Sequence, residues 1–96
     1  MKTIIFEQIL SAVEQATEVN RALILSKCKQ REVVEARSLL FYYLFCKDLT
    51  RRQIADLTGH TRQCVAAQLQ AFPDKDSRSA WLTTLMQQID NKQTIK

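Results

Sequence analysis

Residues 51–72, RRQIADLTGHTRQCVAAQLQAF, gather side chains of the types that can read nucleic acid. Arg and Gln pair with base edges through two hydrogen bonds at once, and Ala meets a thymine methyl or leaves room for one. In a helix that begins near Arg62, the outward face holds Arg62, Gln63, Ala66 and Gln70, with Ala67 beside them. Arg62 and Thr61 stand at the helix start, where backbone N–H groups point at a phosphate. Arg51 and Arg52 open the preceding helix; there they touch the backbone of a duplex and set register without reading sequence.

Such a face works only if it is aimed. Two helices joined by a short turn containing Gly form the helix-turn-helix unit, whose second helix enters the major groove while the first crosses the backbone. The hinge needs a small residue where the helices approach, and Ala55 supplies it. It needs a turn residue that tolerates a left-handed backbone, and Gly59, the chain's only glycine, stands four positions later. It needs a branched residue buried in the second helix, and Val65 follows six after the glycine.

Each of these residues also has a plain structural reading. Ala55 is an ordinary helix residue, Gly59 an ordinary helix terminator, and Gln63 and Gln70 ordinary solvated side chains. Arg51 and Arg52 read as surface charge, although at a helix start they oppose the dipole, which a bound phosphate would relieve. His60 falls in the turn, either solvated or against a phosphate.

Other chemistries find little support. No Ser-His-Asp spacing is visible, His60 has no evident acid partner, and one glycine cannot build a phosphate loop. Glu7, Glu14 and Glu18 lie close on one helix without a histidine to complete a metal pattern. Cys28, Cys46 and Cys64 are too far apart for a CxxC site, and an odd number argues against a disulfide framework. The expectation is a non-enzyme with no cofactor, no metal and no small-molecule substrate.

The elements that must carry the hinge are helical. Residues 3–18 place Ile5, Ile9, Val13 and Ala16 on one face, widened by Leu10 and Ile4, with Thr3 as a weak cap. Asn20 caps a short helix through Leu25, and Ser26 opens a polar run, SKCKQRE. Residues 31–47 form the central helix, with Val33, Ala36, Leu40 and Tyr43 on one face and Leu39, Phe41 and Leu44 beside it. Asp48 and Leu49 close it. Thr50 and Gln53 have capping-box spacing, Ile54 and Leu57 face inward, Gly59 ends that helix and Thr61 caps the next. Val65, Leu69 and Phe72 repeat at helical spacing until Pro73 and Asp74. A last helix spans 77–90 with Trp81, Leu82, Leu85 and Ile89 inward, and 91–96 fray.

Length and charge bound this picture. The 96 residues suit one domain with a modest core, and one Gly with one Pro favours helices over a turn-rich sheet. The net charge of +4 is uneven: residues 1–20 carry about −2, 21–37 carry +3 and 47–62 carry +2. A basic middle suits a polyanion partner, and it also suits simple solubility. No signal peptide and no 18-residue apolar run is visible, so the expectation is a cytoplasmic protein with no membrane partner.

The order EQILSAVEQATEV, LSKCKQREVVEARSLLFYYL, LTRRQIADLTGHTRQCVAAQLQAF resembles the C-terminal DNA-binding domain (domain IV) of the bacterial replication initiator DnaA, in the helix-turn-helix group that includes the tryptophan repressor fold. The likeness covers roughly residues 5–90. It implies that a basic stretch opening the central helix contacts the DNA backbone, here Lys27, Lys29, Arg31 and Arg37. It implies that Ile54 and Ala55 match the first hinge helix. The family's Asp-His-(Ser/Thr)-Thr-Val signature falls on Thr61, Arg62, Gln63, Cys64 and Val65, of which Val65 alone is kept. No ATPase module lies within these residues, so nucleotide-driven origin melting is not implied. The expectation is an all-α, TrpR/DnaA-like domain over 1–96 with five to six helices. It binds double-stranded DNA in replication or transcription regulation, and no extra apolar stripe demands a homodimer. The alternative is a protein-interaction module that keeps the fold without reading DNA.

Overall fold

The first apolar stripe folds as α1, Lys2–Thr17, which buries Phe6, Ile9, Leu10, Ala12, Val13 and Ala16. The structure, a computed structural model, describes residues 2–73 and 80–93. Thr3 lies inside α1 rather than capping it. Ile4 is 54% exposed, so it does not widen the stripe as its hydrophobicity suggests; it sits to one side of the face that Ile9, Val13 and Ala16 share.

Asn20 starts α2, Arg21–Ile24, by accepting a hydrogen bond from the Ala22 N–H at 2.7 Å. Arg21 fastens this short helix to α1, with Nη1 2.9 Å from Glu7 and Nε 3.1 Å from Glu14. Both acidic residues of α1 are thereby committed to Arg21.

The broad stripe of residues 31–47 forms α3, Arg31–Cys46, and is buried where period 3.6 puts it: Val33, Ala36, Leu39, Leu40, Phe41, Tyr43 and Leu44. So wide a face serves several neighbours. α1 packs on α3 and on α6, while α2, α4, Arg51–Thr58, and α5, Arg62–Ala71, pack on α3 from other sides. Burying a side chain such as Phe41 contributes about 1.5–3 kcal/mol. α6, Ala80–Gln93, brings in Leu85, Met86 and Ile89, and Tyr43 Oη donates to the Met86 carbonyl at 3.2 Å. The expected helix start at Ser77, the stop at Asp74, the inward side chain of Trp81 and the fraying of 94–96 fall outside what is described. Residues 91–93 are helical.

One device ends both α3 and α4. Asp48 takes φ 69°, and the next N–H, that of Leu49, reaches back to the Leu44 carbonyl at 3.3 Å. Gly59 takes φ 77°, and the next N–H, that of His60, reaches back to the Ala55 carbonyl at 3.2 Å. In each case the residue after the left-handed one turns inward: Leu49 and His60 are both buried.

The result is a compact all-α domain of six helices, with no strand among the described residues. Its radius of gyration, 12.2 Å, matches the ~12–13 Å of a tightly folded chain this long.

Candidate nucleic-acid interface

α4 and α5 are joined by only Gly59, His60 and Thr61. Each helix begins with a complete cap. The Gln53 N–H donates to Thr50 Oγ1 at 3.1 Å, while Gln53 Oε1 accepts from the Thr50 N–H at 2.9 Å. Thr61 Oγ1 accepts from the Cys64 N–H at 3.0 Å. These bonds fix the first turns of both helices, and those first turns hold the arginines.

Arg51, Arg52 and Arg62 are exposed, and they line one open cleft of about 500 Å³ together with Thr50, Gln63 and Ala66. Neither α4 nor α5 has an acidic residue in its first turn. Cations there run against the usual preference, because a helix N-terminus is itself the positive end of the dipole. Arg52 and Arg62 have no ion-pair partner among the described residues. Arg51 sets its guanidinium 5.5 Å from the centroid of the Phe45 ring, itself 43% exposed, a contact that positions a cation without neutralising it. The cleft is therefore a positive concavity formed by two helix ends and three guanidinium groups.

The outward residues of α5 lie as the helical spacing requires. Gln63, Ala67 and Gln70 are exposed and Ala66 is half-buried, whereas Val65 is fully buried on the opposite side. Gln63 and Ala66 share the arginine cleft, and Gln70 continues the same face beyond it. Ala55 and Ile54 are buried where α4 meets its neighbours.

The loop between α2 and α3 reaches the α4–α5 turn. Lys27 Nζ donates to the Gly59 carbonyl at 3.2 Å. Lys29 is exposed on the same loop. Arg31 is 89% exposed in its side chain and pairs with Glu35 at 3.7 Å, a solvent-screened contact worth little.

Arg37 departs from the expectation that it meets a phosphate. It is 4% exposed, with Nε donating to the Ile24 carbonyl at 2.8 Å and Nη2 to the carbonyls of Ser26 at 2.7 Å and Cys28 at 3.0 Å. A guanidinium can leave water only when its N–H groups are met this way. The signal was in the sequence: Arg37 stands four after Val33 and three before Leu40, on the buried stripe itself.

His60 was expected in solvent or against a phosphate, and it is 7% exposed. Its ring meets Phe41 edge-on at 5.7 Å, and Nδ1 lies 3.8 Å from Cys64 Sγ. Cys64 in turn is 3.7 Å from Gln68 Nε2, and Gln68 Oε1 accepts from Ser38 Oγ at 2.8 Å, so a polar chain links the turn, α5 and α3. Burial holds the imidazole pKa below its usual 6.5, and the nearby charges of Lys27 and Arg37 push in the same direction. The backbone of Leu25 and Ser26 opposes this, although Nε2 has no hydrogen-bond partner among the described residues. The residue after a helix-ending glycine commonly packs inward, which is the sequence signal for this burial.

No helix among the described residues is long and apolar enough to cross a membrane. Comparisons with protein-family models, with curated proteins and with solved structures find no match for the chain.

Proposed function

We propose that this domain binds double-stranded DNA through a helix-turn-helix made by α4, the turn 59–61 and α5, as its resemblance to the DnaA C-terminal domain implies. One observation carries the reading: three arginines, none with an ion-pair partner among the described residues, stand at the positive ends of two capped helices around a single cleft. A bound phosphate relieves that repulsion, which nothing in the described part of the chain does. Arg51 and Arg52 neutralise phosphates. Arg62, Gln63, Ala66 and Gln70 face the major groove, and Lys27 and Lys29 extend the backbone contacts past the turn. Such a domain serves replication or transcription as a small DNA-binding regulator.

Selection from random duplex DNA, followed by titration of the selected site at several salt concentrations, tests this. The expected result is a recovered sequence preference and a log–log salt slope of several units, each neutralised phosphate adding about 0.9. Recovery of no preference together with a flat salt dependence would leave the protein-interaction alternative in its place.

A further inference from the structure

The buried Arg37 has no contact with the proposed DNA surface, yet its hydrogen bonds end at the loop that supplies Lys27. Its three bonds to the carbonyls of Ile24, Ser26 and Cys28 fold that loop around one guanidinium. Residue 27 lies between two of those acceptors, so its backbone is pinned on both sides. From there Lys27 Nζ crosses to the Gly59 carbonyl at 3.2 Å. Gly59 is the left-handed residue that ends α4, two positions before the Thr61 cap of α5.

We infer that Arg37 is a positioning residue for the DNA surface, acting through Lys27: it holds the α2–α3 loop so that the lysine is docked on the α4–α5 turn and faces a phosphate beside the start of α5. This rests on the DNA-binding reading above. The inference goes beyond it, because it assigns a role to a cation that never touches the ligand. It also explains why the cation is arginine. The planar group serves Ile24 through Nε and the other two carbonyls through Nη2, from a fixed fork. A lysine in its place keeps the charge but has no Nε–H and no fork. A long-range charge effect would survive that exchange, and a positioning effect would not.

The experiment compares the parent chain, Arg37→Lys, Lys27→Met and the double variant, each first checked for helical content and urea midpoint. Affinity for a random-sequence duplex is measured across salt concentrations. Lys27→Met removes one phosphate contact, so its salt slope should fall by about 0.9. Arg37→Lys should fall by the same amount although its net charge is unchanged, and the double variant should fall no further. A slope in Arg37→Lys equal to the parent's overturns the inference, as does a double variant that loses a second unit. A merely destabilised protein would lose affinity with its slope intact, which also counts against positioning. The same samples without DNA supply a second readout, the carbonyl carbon resonance of Gly59. Lys27→Met should move it, and Arg37→Lys should move it in the same direction; a Gly59 resonance that ignores Arg37→Lys sinks the coupling. A parent chain with no salt-dependent duplex binding overturns the DNA reading and the phosphate role together, while the resonance still decides whether Arg37 holds Lys27 on the turn.

Discussion

Cys64 Sγ stands 3.8 Å from His60 Nδ1, while the far nitrogen of the same ring, Nε2, is buried with no hydrogen-bond partner among the described residues. The imidazole is thus engaged on one side and unsatisfied on the other, between a thiol on α5, the Phe41 ring on α3 and two cations, Lys27 and Arg37. Burial first, and then the charges of Lys27 and Arg37, disfavour its charged form in the fold.

This fixes a pH dependence. The folded-state pKa of His60 lies below its ordinary 6.5, so the unfolded chain takes up the proton first as pH falls. The stability contributed by the neutral ring is complete above about pH 6.5, declines below that, and is fully lost once pH passes beneath the folded pKa. His60→Phe keeps an aromatic ring against Phe41 and removes the titration. Urea midpoints at several pH values between 5 and 7.5 should show the parent losing ground to this variant as pH drops. Parallel curves for the two proteins would contradict the assignment.

Gly59 is needed for its backbone alone. A Cβ built there has nothing within 4 Å, while φ is +77°. Gly59→Ala should therefore cost about 1–2 kcal/mol, all of it from the left-handed conformation and none from a clash. Gly59→Asn should cost less, because Asn tolerates that conformation better. For a domain of this size 1 kcal/mol corresponds to roughly 4–8 °C in Tm, which differential scanning calorimetry resolves easily.

The caps make a separate claim on stability. Thr50→Ala removes the acceptor for the Gln53 N–H and should cost about 1 kcal/mol in urea unfolding. The same change at Thr61 frees the Cys64 N–H and should cost a similar amount. Both variants should fold, since neither threonine is part of the core.

Arg62 and Arg52 should behave differently toward DNA. Arg62→Ala should cost about 1–3 kcal/mol on the selected site if it reads a base through two bonds, and should relax the preference at that position. Arg52→Ala should weaken all duplexes alike and reduce the salt slope by about one phosphate. Competition titrations with selected and scrambled duplexes separate the two; identical losses from both variants would assign Arg62 to the backbone.

Much of the fold was legible because it is local. The Thr50–Gln53 box, the Gly59 terminator, the Asn20 and Thr61 caps and the α3 stripe are each set within a few residues, and each lies where its spacing places it. Arg37 departs from the resemblance that matches it to a backbone-contacting cation, and His60 from the solvent or phosphate setting of a turn residue; in these two places the 3.6-residue period and the site after a terminating glycine point inward. Neither the Lys27–Gly59 bond nor the polar chain from Ser38 to His60 has a local signature. Their long-range bonds, Lys27–Gly59 and Ser38–Gln68, span 32 and 30 residues of sequence and exist only once α3, the turn and α5 are packed.

Val65 is the only fully buried residue among the ten of α5. The rest of the helix is held by its cap, by the Gln68–Ser38 bond and by partly covered side chains. Exposed positions remote from such anchors tolerate exchange within about 0.5 kcal/mol. Gln63, Ala67 and Gln70 can therefore mutate with little penalty to folding. On the DNA-binding proposal, exchanges at Gln63 and Gln70 would then let a lineage move from one target to another without any repair elsewhere in the fold.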